Sequence, residues 1–280
     1  MKKTICLWAL LLIVVSCTND DNYNDEHGDK AVIPPKGRII RIMTYNIYGA
    51  RATSPADLDA LAEVIRRQDP DFVTLNEVDV FTNRTGKDVH QARDLAAKLG
   101  MEWHFSKAID RDGGEYGEGV TTRKKAVNKF SVALPKGVGA EPRVLVVMEM
   151  EDYVICTSHL DHVSSEAQLE QVELITKTMK ERYGDSGKPV FLGGDMNATP
   201  SSETGKLLQK DWEILTITGF GTFPSDNPSK CIDYIMQLKG TPKCEVVGSQ
   251  ILRWFKSGDV TKASDHLPVM LDIKLPAKNK

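Results

Sequence analysis

The sequence has few of the features that identify proteins that span a membrane, contain a structural zinc ion or bind nucleic acid tightly. Its 280 residues include only 5 cysteines, and no Cys-x-x-Cys pair is among them, which argues against a structural zinc site. Lys and Arg (36) do not outnumber Asp and Glu (39), so no basic excess indicates tight binding to nucleic acid. The longest apolar run, from Ile5 to Val15, is shorter than the roughly 20 residues that span a bilayer.

The N-terminal residues have the pattern of an export signal. Two lysines precede the apolar run, and Cys17 follows it in a context that resembles a bacterial lipobox. This pattern predicts a lipoprotein signal peptide over 1–17 and a lipid anchor at Cys17, which would attach the protein outside the cytoplasm to the cell envelope, at the outer membrane or the cell surface. An ordinary secretory peptide with an incidental cysteine is the alternative. Residues 18–37 are polar and acidic, which predicts a disordered tether.

From residue 38 onward, apolar strands and amphipathic helices follow one another without a repeat or linker, which predicts one domain over 38–276. Helices are predicted to start at Ser54-Pro55, to cover Val89–Leu99, and to run from Ser164 or Ser165 to Gly184. Several adjacent strands lack an intervening helix, so mixed sheets are expected. Strands are predicted at 38–47, 71–75, 101–107, 128–134, 143–150, 153–158, 189–193, 213–218, 232–238, 244–251 and 268–274.

The cysteines of this domain are predicted to be free thiols. Cys156 lies in an apolar strand pattern, which is typical of a buried thiol. Cys231 and Cys244 flank a turn near Gly240, but they are not symmetric about it. A disulfide between them is therefore not expected.

Two polar segments follow or precede apolar strands. Asp195 and Asn197 stand two residues apart at the end of the strand at 189–193, and alternation directs both side chains the same way. Asp265 and His266 come just before the last strand. An acid, an amide and a histidine at strand ends suit hydrolysis at a phosphorus centre, where the enzyme must position a water and neutralise charge.

Six sequence blocks occur in a specific order, and together they resemble the endonuclease/exonuclease/phosphatase superfamily, which includes deoxyribonucleases, neutral sphingomyelinases and inositol polyphosphate phosphatases. The resemblance covers nearly all of 38–276. It implies an α/β fold, a four-layer α/β/β/α sandwich with two mixed β-sheets and a site at one edge of the facing sheets. The blocks are Met43–Ile47, Leu75–Asp79, Gly113–Gly117, Thr157–His162, Gly194–Asn197, and Ile232–Ile235 with Ser264–His266.

The resemblance implies a divalent metal, Mg²⁺ or Mn²⁺. Glu77 matches the main metal ligand of the family, and Asn46 matches an asparagine that binds the metal or its water. Asp265 matches an acid near the metal or beside a histidine. Mg²⁺ prefers one or two carboxylates together with waters and phosphate oxygens. The alternatives are a solvated acid for Glu77 and a turn-capping amide for Asn46.

The resemblance also assigns catalytic roles. Asp195 matches the general base that activates water, and Asn197 matches the amide that holds the scissile phosphate or that water. His266 and His159 match residues that contact the phosphate, and Asp233 matches an acid that orients a histidine. The alternatives are an Asx turn for the pair at 195 and 197, and a core aspartate bound by backbone amides for Asp233.

The chain departs from the family pattern at three places. Asn76 stands where the family usually has glutamine, and Cys231 stands where arginine is usual. The segment Glu118–Thr122 replaces a usual Asn-Ala-Ile-Leu-Ser. These departures leave the metal ligands and the base in place, so they bear on substrate class and rate rather than on fold.

The sequence therefore predicts an extracytoplasmic, divalent-metal-dependent phosphoesterase that hydrolyses a P–O bond of a small phosphate ester or phosphodiester by in-line attack of water. We expect a monomer. A secreted endonuclease or exonuclease is an alternative that is not favoured, because only Arg123–Lys125 and Lys129 form a basic cluster. The sequence is also compatible with a sphingomyelinase-like enzyme, with Trp254-Phe255 touching lipid, and with a catalytically silent binding protein.

Overall fold

The computed structural model describes residues 38–52, 56–138, 141–253 and 260–277. The predicted signal peptide, the predicted tether and Trp254-Phe255 lie outside the described residues. Within the described ranges, no helix is both long and apolar enough to cross a membrane.

Twelve β-strands and four α-helices account for the regular structure of the described residues, together with two short 3₁₀ turns. The strands are β1 (Ile39–Asn46), β2 (Phe72–Val80), β3 (Glu102–Arg111), β4 (Gly114–Thr122), β5 (Asn128–Ala133), β6 (Val144–Glu149), β7 (Val154–Thr157), β8 (Val190–Asp195), β9 (Trp212–Ile214), β10 (Asp233–Leu238), β11 (Glu245–Ile251) and β12 (Val269–Lys274). The helices are α1 (Leu58–Gln68), α2 (Gln91–Leu99), α3 (Ser165–Tyr183) and α4 (Glu203–Asp211).

The strands form two sheets of six strands each, in the orders β11-β12-β1-β2-β4-β3 and β5-β6-β7-β8-β10-β9. We call them the first and the second sheet. Each contains a parallel pair, β1 with β2 and β7 with β8, and its remaining neighbours are antiparallel. The prediction of two mixed sheets is therefore confirmed.

Three clusters of buried apolar side chains hold the sheets and helices together. Ile42 and Phe72 of the first sheet and Ile155 and Phe191 of the second belong to one buried cluster between the sheets. Helices α1 and α2 pack on the outer face of the first sheet, and α3 and α4 pack on the outer face of the second. Each fully buried aliphatic or aromatic side chain contributes about 1.5–3 kcal/mol to folding. The predicted four-layer α/β/β/α sandwich is confirmed.

Several element boundaries differ from the predictions. Helix α1 begins at Leu58, because Asp57 accepts hydrogen bonds from the backbone amides of residues 59 and 60, and the predicted start at Ser54-Pro55 lies outside the described residues. Ser164 caps α3 as predicted, accepting from the amide of residue 167. The strand predicted at 213–218 shortens to β9, because the Thr216 hydroxyl, rather than a backbone carbonyl, accepts the amide of Ile235.

Strand β4 is absent from the sequence-based prediction, because its glycines are typical of a loop. In the structure these glycines permit close approach of backbones. A Cβ placed on Gly117 would lie 2.1 Å from the carbonyl oxygen of Ser106 on β3, where the β3–β4 register shifts. The described cysteines, at positions 156, 231 and 244, are free, as predicted, and all three are buried.

We predict that Gly117→Ala lowers the free energy of unfolding by about 2 kcal/mol or more, because the methyl group cannot enter the β3–β4 contact without moving backbone. Urea unfolding followed by circular dichroism measures the change. Gly248→Ala is the matched control: nothing lies within 4 Å of the added Cβ, so its effect should stay within about 0.5 kcal/mol. Equal effects of the two substitutions would contradict this interpretation.

Candidate active site

The candidate site lies where strand ends of the two sheets meet. In the first sheet, Asn46 is the last residue of β1 and stands beside Asn76 of β2 in the parallel register. In the second sheet, Asp195 is the last residue of β8 and stands opposite Asp233, the first residue of β10. These four side chains are buried. The topology thus gathers polar side chains from both sheets at one edge of the sandwich.

A bulge in β2 brings two consecutive residues to this edge. The pairing of β2 with β4 shifts register between Leu75 and Val78, and Glu77 has a left-handed φ of +58°. Consecutive strand residues normally point to opposite faces, and a bulge relaxes this alternation. As a result, both Asn76 and Glu77 contact polar groups of the site. Left-handed backbone at a non-glycine residue is strained and is frequent at functional sites.

The Asp195 carboxylate is the point where donors converge. Its Oδ2 accepts a hydrogen bond from Asn46 Nδ2 at 3.0 Å and lies 3.4 Å from His159 Nε2 and 3.6 Å from His266 Nε2. Its Oδ1 accepts from the backbone amide of Asn197 at 2.8 Å. Burial, followed by the charge of Asp233, raises the pKa of Asp195 to about 7 despite these donors.

His266 and Asp233 form a buried ion pair. His266 Nδ1 lies 2.9 Å from Asp233 Oδ2, which also accepts from the Thr222 hydroxyl at 2.6 Å. Burial alone would lower the pKa of His266, but the charges of Asp233 and Asp195 outweigh it and raise the pKa to about 10. The contact between His266 and Asp233 agrees with the predicted orienting role of the acid, and the imidazole carries a positive charge beside Asp195.

His159 has the opposite electrostatic character. It is buried, and Arg143 Nη1 lies 3.3 Å from its Nδ1. Burial, and then the charges of Arg143, His266 and His162, hold the pKa of His159 well below its ordinary value. The two histidines that face Asp195 therefore differ: His266 is cationic and His159 is neutral.

The predicted metal ligands lie beside this cluster. Asn46 Nδ2 donates to Glu77 Oε1 at 3.2 Å, whereas Asn46 Oδ1 accepts from the amide of Tyr48 at 3.0 Å. Asn46 thus links the Glu77 and Asp195 carboxylates as a donor, while its oxygen, which has two lone pairs, accepts one backbone hydrogen bond. Burial, together with the charge of Glu77, raises the pKa of Asp265 to about 6, although His266 lowers it.

The carboxylates suit a hard divalent cation. Asp265 Oδ1 is buried without a hydrogen-bond partner, and its carboxylate interacts electrostatically with Glu77. Carboxylate oxygens are the donors that Mg²⁺ and Mn²⁺ prefer. An ion held by Glu77 and Asp265 would satisfy the unpartnered oxygen. The chemistry of these side chains therefore fits the predicted metal.

A second group with metal-like spacing consists of Asp195, Asp233 and His266, whose ligand atoms lie within 4.8 Å of one another. Here His266 Nδ1 and Asp233 Oδ2 already bind each other, so an ion bound to that nitrogen would replace an existing charge-assisted hydrogen bond. We therefore interpret this group as the Asp195 carboxylate beside an ion pair of His266 and Asp233, and not as a metal site.

Two predicted residues also hold the local backbone. Asn197 Nδ2 donates to the carbonyl of Leu160 at 3.0 Å, and the amide of Asn197 closes an Asx turn on Asp195. The Asx turn, which the sequence offered as an alternative for this pair, is therefore present at Asp195. Asp161, from the same block as His159, accepts from the amides of residues 163 and 164 and so stabilises the turn before α3.

Two of the departures from the family pattern contact each other. Asn76 Nδ2 donates to Glu118 Oε2 at 2.6 Å, and Asn76 Oδ1 accepts from the backbone amide of Asp195 at 2.9 Å. All three side chains are buried. Burial raises the pKa of Glu118 to about 8, although the hydrogen bond from Asn76 lowers it. Glu118 thus supports the amide that holds the backbone of the candidate base.

Arg143 and Thr222 were not predicted from the sequence. Arg143 faces His159, and the Thr222 hydroxyl donates to Asp233, the partner of His266. An arginine directly before the apolar strand β6 is a weak signal, since most arginines at strand ends are solvated. Arg143 is only 2% exposed.

We predict that Glu118→Gln makes the metal-free protein more stable at pH 8 relative to pH 5 than the wild type. The folded state binds the Glu118 proton more tightly than the unfolded chain does, so wild-type stability falls as the pH rises from about 4.5 toward about 8. A shift of this size is worth more than about 1 kcal/mol, and glutamine has no proton to lose.

Urea unfolding of both proteins in EDTA at the two pH values measures the difference. Glu102→Gln, at an exposed position of β3, is the control and should leave the pH dependence unchanged. The same slope of stability with pH in the wild type and Glu118→Gln would contradict the prediction.

Comparison with known proteins agrees with this architecture. A curated Caenorhabditis elegans protein of uncharacterised function is 23% identical over 235 residues, which cover 73% of this chain, and the chain spans 66% of the length of that relative.

Two solved structures share the fold. An endonuclease/exonuclease/phosphatase from Beutenbergia cavernae matches with a TM-score of 0.67 and 24% identity, over 86% of this chain and 72% of that one. The mannosyl-6-phosphatase Bt3783 of Bacteroides thetaiotaomicron matches with a TM-score of 0.68 and 20% identity, over 84% of this chain and 99% of that one.

The sequence profile of the Endonuclease/Exonuclease/phosphatase family matches residues 43–266, a range that begins in β1 and ends at His266. This range contains every site residue described above. The expected class of enzyme, a hydrolase of phosphate ester bonds, is confirmed at the level of the family. The match covers more than half of the chain, and the chain therefore belongs to the Endonuclease/Exonuclease/phosphatase family.

Proposed function

We propose that this protein is an extracytoplasmic, divalent-metal-dependent phosphoesterase that acts on a small phosphate ester or phosphodiester. The observation that carries the proposal is the buried Asp195 carboxylate, which Asn46, His159 and His266 surround with nitrogen atoms. A carboxylate with a raised pKa can take a proton from water near neutral pH. The donors around it can also stabilise negative charge on phosphoryl oxygens.

In the proposed reaction, Asp195 orients a water in line with the scissile P–O bond and accepts its proton. His266, held by Asp233, places positive charge next to the phosphoryl oxygens, and His159 donates a hydrogen bond to them. Asn197 holds the substrate or the attacking water beside the base. Glu77 and Asp265 would hold the divalent cation, which supplies Lewis-acid activation of a phosphate oxygen when bound.

The position of the basic cluster favours a small substrate over nucleic acid. Arg123, Lys124, Lys125 and Lys129 are exposed. Arg123 follows Thr122, which pairs with Phe72 at the start of β2, whereas the site lies roughly 15 Å further along that strand. The Arg123 guanidinium also forms an ion pair with Asp69 and donates a hydrogen bond to the carbonyl of Pro70. A polyanion bound at the site would gain little from this cluster.

The test is a substrate panel assayed with the full chain. A chromogenic phosphodiester, sugar phosphates, plasmid DNA and sphingomyelin vesicles are each offered in EDTA and again with excess Mg²⁺ or Mn²⁺. We predict cleavage of the diester or a sugar phosphate that EDTA abolishes and added metal restores. Asp195→Asn should lower the rate at least about 100-fold, because it removes the proton acceptor.

Asp185→Asn, at an exposed position beyond α3, is the matched control and should retain the wild-type rate. Cleavage of DNA or sphingomyelin in preference to the small esters would establish a nuclease or a sphingomyelinase-like enzyme instead. Binding of Mg²⁺ in calorimetry without cleavage of any substrate would support the catalytically silent binding protein and overturn the proposal.

The location is a separate proposal, motivated by the apolar run that ends at Cys17 and by the acidic segment at 18–37. We predict that the full chain, expressed in a bacterium with lipoprotein processing, fractionates with membranes. The acyl chains of the thioether-linked lipid would insert their CH₂ groups into the bilayer, and two such chains suffice for stable anchoring. Cys17→Ser should move the protein to the soluble fraction of the envelope, and Cys231→Ser is the matched cysteine control. Membrane fractionation of Cys17→Ser would refute the anchor.

A further inference from the structure

Arg143 is a buried charge that faces two histidines and also interacts with the Tyr116 side chain. Its Nη1 lies 3.3 Å from His159 Nδ1, and its Nη2 lies 3.1 Å from His162 Nδ1. Glu141 Oε2 lies 3.6 Å from Nη1 and also balances its charge, although Glu141 Oε1 is taken by Arg111 at 2.8 Å. A buried charge needs hydrogen-bond partners, so these histidine contacts are part of what stabilises the guanidinium.

These contacts fix where the histidine protons lie. A guanidinium is always charged and has only donors, so each histidine nitrogen that faces it must present a lone pair. A neutral imidazole with a lone pair on Nδ1 carries its proton on Nε2. His159 is therefore in the neutral Nε2–H form.

The fixed proton of His159 points toward the reaction centre. Its Nε2 lies 3.4 Å from Asp195 Oδ2. The charged and titratable groups that face His159 are Arg143, His162, His266 and Asp195. His266 shows the opposite arrangement, since its Nδ1 lies against the Asp233 carboxylate and must carry a proton. The partner of Nδ1 thus differs between the two histidines that face the base.

We propose that Arg143 is a positioning residue, which holds His159 as a neutral imidazole with its proton on Nε2, so that His159 serves as a hydrogen-bond donor and not as a base. The proposal rests on the proposed function for the identity of the acceptor, a phosphoryl oxygen. Without Arg143, the Nδ1 lone pair would lose its donor, and a proton could occupy that nitrogen. The ring would then be free to turn Nε2 away from the site.

The first test determines which ring nitrogen of His159 carries the proton. Nitrogen chemical shifts of isotope-labelled histidine in the full chain report which ring nitrogen carries a proton, and the spectrum of His159→Gln assigns the signals. We expect an unprotonated Nδ1 and a protonated Nε2 for His159 at neutral pH. A proton on Nδ1 of wild-type His159 would overturn the proposal, and this outcome requires no active substrate. Absence of turnover would refute only the proposed function.

The second test removes the guanidinium. Arg143→Met should place a proton on Nδ1 of His159 and lower kcat at least about 10-fold, with a smaller change in KM, because a donor to the reacting group is misdirected. Arg143→Lys, which keeps a cationic donor, should restore the unprotonated Nδ1 and part of kcat.

Arg182→Met is the matched control, since Arg182 stacks on Phe130 at the surface, 4.1 Å from the ring centroid. It should change neither the His159 signals nor kcat. Far-UV circular dichroism checks that each variant is folded. A folded Arg143→Met protein with wild-type His159 signals and wild-type kcat would overturn the proposal.

Discussion

Hydrogen bonds to the buried residue Asp195, through its carboxylate and its backbone amide, join the two sheets. Asn46 reaches it from the first sheet through its side chain, and Asn76 reaches its backbone amide from the same sheet. An ionised carboxylate buried without partners would cost several kcal/mol. These hydrogen bonds therefore stabilise the closed sandwich at the same time as they shape the candidate site. The edge where the sheets meet is thus the place where polar groups from both sheets satisfy one another.

Much of this arrangement could be predicted from the sequence, since the site residues follow or precede apolar strands and parallel strands end at the same edge. Asp195, Asn46 and His266 are brought together as expected. Strand β4 was not predicted, because the glycines at its contacts with β3 make the segment resemble a loop in composition. Arg143 was missed because its partners lie 16 and 19 residues away, beyond any local pattern. Long-range pairings of this kind depend on the register of the sheets.

The contact between Asn76 and Glu118 changes the meaning of two unusual residues. In the sequence they are separate departures, 42 positions apart, each of which bears on substrate class and rate. In the structure they form one hydrogen-bonded pair whose other end holds the backbone of Asp195. A side chain that is shorter than usual on β2 thus contacts a longer one on the neighbouring strand β4. The pair supports the backbone of Asp195.

The register of β8 against β10 has a further consequence. Asp195 and Asp233 are direct cross-strand partners, and carboxylates at such positions repel each other. The imidazole of His266 touches both, with Nδ1 2.9 Å from one and Nε2 3.6 Å from the other. A descendant of this protein that lost the imidazole would be left with two facing acids that must share a proton. In the proposed reaction, the shared proton would also hinder Asp195 from accepting the proton of water, so loss of the imidazole would impair both groups.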